Sequence, residues 1–80
     1  MLDELNTAKK VVGVKQLTKA LRRGEISTVY LAKNADPMLT GPVARLAEEN
    51  AVAVRWIPTM RELGAACGIS VGSAVAAILA

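Results

Sequence analysis

Two apolar segments of strand character, residues 28–33 and 52–57, bracket a stretch entered by Asp36-Pro37, and this order constrains the chain more than any other feature. Asp36 reads as an N-cap and Pro37 as the first helical residue, where a missing N–H costs nothing. The first of these strands reads as buried on both sides in its middle, which calls for cover on both faces of the sheet. The alternation continues on either side. Within residues 13–24, Leu17, Ala20 and Leu21 fall at i, i+3 and i+4, a core-facing helical stripe that Gly24 closes. Thr59 with Glu62 forms a capping box that opens a helix running to Cys67, with Gly68 at its end. Residues 74–79 supply a last apolar strand. Upstream, Asp3 caps a first helix through Leu5, Ala8 and Val12, or else Val11-Val12 forms a very short strand that Gly13 ends.

The middle helix carries Leu39, Val43, Leu46 and Ala47 on one side and ends near Asn50. Pro42 fits it only within the first turn or two, and Thr40 is an alternative N-cap. The resulting order, α, short β, α, β, α, β, α, β, calls for an α/β fold with a mixed, largely buried sheet and helices on both faces. Residues 1–80 contain no linker, repeat or low-complexity tract and read as a single domain.

Composition removes most chemistries. The chain is 52% hydrophobic, yet it has no Phe, one Trp (Trp56) and one Tyr (Tyr30), so its core is built from small aliphatics. Without histidine it lacks the usual general base and the commonest metal ligand. The lone Cys67 stands among Leu63, Ala65, Ala66 and Ile69 and reads as buried filler; it makes neither a disulfide nor a zinc cluster. Asp3 and Glu4 sit where a basic leader would begin, so no cleavable signal is expected. Residues 63–80 carry no charge, but three glycines and two serines and the lack of an interfacial anchor argue against a membrane span. An enzyme is not expected, nor a cofactor, a metal or a small-molecule substrate.

Charge is distributed unevenly. Residues 1–36 hold seven bases and four acids, whereas residues 37–80 hold three of each. Residues 9–23 contain six cations and no acid. At 100° per residue, Lys15, Lys19, Arg22 and Arg23 occupy the side of the helix opposite the Leu17/Ala20/Leu21 stripe. Such a block is the footprint of a polyanion partner, or simply a solvated face. Gly13, Val14, Lys15 and Gln16 open this helix, where unpaired N–H groups and polar side chains suit phosphates and base edges. Gly68, Ile69, Ser70, Val71, Gly72 and Ser73 form a second loop. This is no Walker motif; it is either a glycine-eased turn or an apolar tip on which an unstacked base can rest.

These stretches together resemble the small kink-turn RNA-binding ribosomal proteins of the L7Ae/L30e superfamily, most closely their short bacterial members of the YbxF type. The pieces are Gly13-Val14-Lys15-Gln16-x-x-Lys19-x-x-x-Arg23-Gly24, then Val29-Tyr30-Leu31-Ala32-Lys33-x-Ala35-Asp36-Pro37, then Leu63-Gly64-x-Ala66-Cys67-Gly68-Ile69-x-Val71-Gly72. The resemblance implies a three-layer α/β/α sandwich around a mixed four-stranded sheet. It implies binding of kink-turns, sharply bent RNA duplexes with tandem sheared G·A pairs, in ribosomal or riboswitch RNA. By resemblance, residues 13–16 and Lys19 would contact the guanines and Ile69, Ser70, Val71 and Gly72 the flipped-out nucleotide; from their charge, Arg22 and Arg23 extend the positive face along the RNA backbone, and Lys33 is a further RNA-binding candidate. A cytoplasmic monomer, with or without attachment to the ribosome, is implied as well. The chain carries Lys15-Gln16 where the archaeal and eukaryotic proteins have Asn-Glu, Val14 where Thr is common, and Gly72 where Pro is frequent. Gln16 accepts from a guanine N–H without the strength of a carboxylate. The competing reading is a protein-interaction module that uses the apolar loop, with the basic helix only solvated.

Overall fold

The computed structural model describes residues 9–80. The helix expected after Asp3 lies outside the described residues, while the short strand before Gly13 is present. The elements are β1 (Lys10–Val12), α1 (Val14–Arg22), β2 (Ile26–Ala32), α2 (Pro37–Glu49), β3 (Ala53–Ile57), α3 (Met60–Ala66) and β4 (Val75–Leu79). The four strands form one mixed sheet in the order β1-β4-β2-β3. β2 and β3 run parallel, as their helical connection requires, and β4 is antiparallel to both of its neighbours.

Side-chain alternation along the strands divides the core into two layers. Val29 and Leu31 of β2 with Val75 and Ala77 of β4 face Leu17 and Leu21 of α1 and Val43 and Ala47 of α2. Tyr30, Ala32 and Ala76, from the alternate positions, face Leu63 and Cys67 on the side of α3. This is the α/β/α sandwich. The central strands are closed to solvent on both faces, with Val29, Leu31, Ala32, Ala76 and Ala77 fully buried. Their small side chains let helices settle on each face without Phe-sized filler.

One irregularity matters to this layering. Between the pairs Ile26–Leu79 and Thr28–Ile78, β2 has one residue more than β4. This bulge at Ser27 reverses the alternation and delivers Ile26 to the same layer as Val29 and Leu31.

The three helices among the described residues end in the same device. Gly24 N–H bonds the Leu21 carbonyl at 3.1 Å while Glu25 N–H bonds that of Ala20 at 3.1 Å. Gly68 and Ile69 repeat the pattern on Ala65 and Gly64, and Ala51 and Val52 repeat it on Glu48 and Ala47. These are paired C-terminal bonds with a left-handed residue between. Gly24 and Gly68 enter that region readily, with φ of 70° and 78°. Ala51 is forced into it at φ 57°.

Two expectations need correction. Thr40 is no N-cap: it is buried inside α2, whose N-cap is Asp36 through a 2.9 Å bond from the Met38 N–H. Leu39 does not join the α2 stripe and is 44% exposed; the buried side of α2 runs instead through Thr40, Val43 and Ala47. Pro42 lies in the second turn, and α2 passes through it unbroken.

Candidate nucleic-acid interface

Strand register brings the candidate residues together. Val12 pairs with Ala76, Leu31 with Val75, and Ala32 with Ile57. The C-terminal ends of β1, β2 and β3 therefore meet the beginning of β4 at one edge of the sheet. The next residues, Gly13, Lys33, Pro58 and Ala74, all emerge there. Two bonds close this edge, Ala32 N–H to Ala74 O at 3.0 Å and Lys33 N–H to Ile57 O at 2.7 Å. Each described helix follows one of those strand ends, so the N-termini of α1, α2 and α3 open at the same end of the sheet.

α1 opens at Gly13, whose φ of 110° and ψ of 140° belong to a region that only glycine enters cheaply. No side chain caps this helix and no acid stands in its first turn. The first-turn amides and the positive end of the helix dipole therefore face outward, beside exposed Lys15 and Gln16 and half-buried Val14. Leu17, Ala20 and Leu21 are buried, at 0%, 7% and 0% exposure, which fixes the cationic side as the outer one. Lys15, Thr18, Lys19, Arg22 and Arg23 line one shallow depression along it.

That depression runs away from the edge. A rise of about 1.5 Å per residue places Arg22 roughly 10 Å beyond Lys15 along the axis. Arg23 caps the far end, next to Gly24 and Glu25, and the Glu25 carbonyl there accepts from the Ala80 N–H at 2.7 Å. Gly13, Val14, Lys15 and Gln16 thus open at the same end of the sheet as the loop that leads into β4, Lys19 lies farther along the depression in the last turn of α1, and Arg22 and Arg23 lie toward the opposite end.

The loop itself is held from below. Ile69 and Val71 are 37% and 67% exposed, and Ser70 and Gly72 are exposed between and beside them. Ser73 N–H donates to the Met60 carbonyl at 2.9 Å, and Ser73 Oγ donates to the Val75 carbonyl at 2.6 Å. A Cβ on Gly64 would run into the carbonyl oxygen of Val71, and one on Gly72 would meet the Met60 Cβ at 3.2 Å. Lys33, exposed past the end of β2, stands at the same edge on the other side of the β4 entry. Cys67 is buried beneath the loop; burial pushes its thiol pKa up, with the Lys10 cation pulling weakly the other way. A packing role is what that environment supports.

Sequence reasoning passed over three residues at this edge. Gly64 is one of the three glycines of residues 63–80, and only the fold shows what presses on it. Asn34, two residues before the Asp36 cap, has a side chain that reaches the first residue of α3. Trp56 stands half exposed near the end of β3, one step before Ile57. No cluster of His, Cys, Asp and Glu among the described residues is able to hold a metal ion, and no described helix is long and apolar enough to cross a membrane.

Comparison with known proteins agrees with this fold. Residues 2–80 match the family model for the ribosomal protein L7Ae/L30e/S12e/Gadd45 family. An RNA-binding protein of Bacillus pumilus is 42% identical over 78 residues, spanning 96% of this chain and 95% of its own. The RNA-binding protein YbxF of Geobacillus stearothermophilus is 41% identical over 75 residues, covering 94% of this chain and 92% of its own. Among solved structures, the 15.5 kD RNA-binding protein of Giardia lamblia superposes with a TM-score of 0.89 at 27% identity, over 99% of this chain and 70% of that one.

Proposed function

Because the chain belongs to the ribosomal protein L7Ae/L30e/S12e/Gadd45 family, we propose that it is a non-catalytic RNA-binding protein that recognises kink-turns in ribosomal or riboswitch-type RNA. The observation that carries this reading is the shared edge. An uncapped helix start with Lys15 and Gln16 opens at the same end of the sheet as an exposed apolar tip, Ile69 and Val71, and Lys19 extends its positive charge along the helix. A bent duplex presents two features to such an edge, a widened groove with exposed guanine edges and a nucleotide turned out of the stack. In the proposed complex the first-turn amides, Lys15 and Gln16 enter the groove. Lys19 and Lys33 neutralise phosphates, and Ile69 and Val71 cover the expelled base. Glycine at 13 lets the backbone approach closely. No bond is made or broken.

With three or four phosphates neutralised, log Kd against log salt should have a slope of roughly 2 to 4. The test is a gel shift that compares a kink-turn with a straight duplex of equal length. The reading predicts a clear preference for the kink-turn and weakening with salt. Equal affinity for the two RNAs would contradict kink-turn recognition, and affinity for neither would contradict RNA binding.

A further inference from the structure

Beyond the last ladder bonds of the sheet, the turn that carries Lys33 and the loop that carries Ile69 and Val71 are linked through one residue, Met60. Its N–H donates to Asn34 Oδ1 at 2.8 Å, and its carbonyl accepts from the Ser73 N–H at 2.9 Å. Met60 is the first residue of α3 and cannot bond its amide within the helix. The N-cap Thr59 is already engaged, its Oγ1 accepting from the Glu62 N–H at 3.1 Å. Asn34, 26 positions upstream and next to Lys33, supplies the missing acceptor. Gly72 rests against Met60 directly, so that a Cβ there would come within 3.2 Å of the Met60 Cβ.

We infer that Asn34 is a positioning residue: through Met60 it fixes the distance between the Lys33 turn and the apolar tip, so that both meet one RNA without rearrangement. This inference deepens the RNA-binding reading and rests on it. The physical reason is pre-organisation. A loop already held in its bound shape spends less of its interaction energy on ordering, and the benefit falls mainly on the dissociation rate.

The test uses the full chain with Asn34→Ala and Asn34→Asp, the latter keeping an Oδ acceptor. In the free protein, amide hydrogen exchange is followed at Met60, Ile69 and Ser73, with Leu17 as an internal reference. Asn34→Ala should speed exchange at Met60 and Ser73 about three- to tenfold, leave Leu17 unchanged, and raise the dissociation rate from kink-turn RNA by a similar factor. Asn34→Asp should keep the slow exchange of the wild type. Faster exchange at Met60 with Ser73 unaffected would overturn the inference, as would a loosened loop with an unchanged dissociation rate. If the exchange pattern appears but the wild type binds no kink-turn, the positioning link stands and the RNA reading fails.

Discussion

The carbonyl oxygen of Val71 lies against Gly64 so closely that a side chain at position 64 would have to displace it. The contact joins the exposed tip of the candidate interface to the middle of α3, so loop position depends on the absence of one methyl group.

Gly64→Ala should therefore act twice. Overpacking of this kind costs about 1–3 kcal/mol. Because the clash is with backbone, the loop must move, and RNA affinity should fall even under conditions where the variant is fully folded. Urea unfolding followed by Trp56 fluorescence gives the first effect, and a binding titration well below the midpoint gives the second. Full stability with lost binding would place the whole effect in the loop; unchanged values for both would contradict the packing.

The helix ends offer a test with opposite signs. Ala51 adopts φ 57° where Gly24 adopts φ 70° in the same type of ending, and open space surrounds the Cβ position of Gly24. Ala51→Gly should stabilise the protein by about 1 kcal/mol and Gly24→Ala should destabilise it by about as much. In a domain of this size each corresponds to a shift in Tm of roughly 4–8 °C.

Position along α1 should rank its cations. Lys19→Ala should weaken kink-turn binding and lower the magnitude of the salt slope by about 1, with folding unaffected because Lys19 is exposed. Arg23→Ala, at the opposite edge, should do less in both respects. Equal losses from the two variants would mean that the RNA runs the full length of the helix.

Cys67 supplies a pH signature. Burial holds its folded-state pKa above that of the unfolded chain, so folding keeps the proton on. Stability is then insensitive to this group at neutral pH and declines as pH rises past the ordinary thiol range, near about 8.5. Urea midpoints of the wild type should fall more steeply there than those of Cys67→Ala, and at pH 7 the thiol should resist alkylation until the protein unfolds.

The legible parts of the fold are those that signal locally. Leu17, Ala20 and Leu21 declared a buried face by spacing alone; Asp36-Pro37 and Thr59 with Glu62 declared helix starts by their chemistry, and both capping bonds are present. What spacing conceals is where along its axis a helix meets the sheet. The periodicity that grouped Arg22 and Arg23 with Lys15 described an angle about α1, and only the pairing of Val12 with Ala76 shows which end of α1 faces the loop. The Ser27 bulge, the pressure on Gly64 and the reach of Asn34 to Met60 depend on contacts between distant segments, and no local pattern encodes them.

The account depends on one edge gripping one RNA, and amide chemical-shift mapping during titration with a kink-turn oligonucleotide tests that directly. The largest changes should fall together on residues 13–16 and 68–72, with Lys33 included and Arg23 and Gly24 little affected. Changes confined to one of the two segments, or centred on the edge of Gly24 and Glu25, would contradict it.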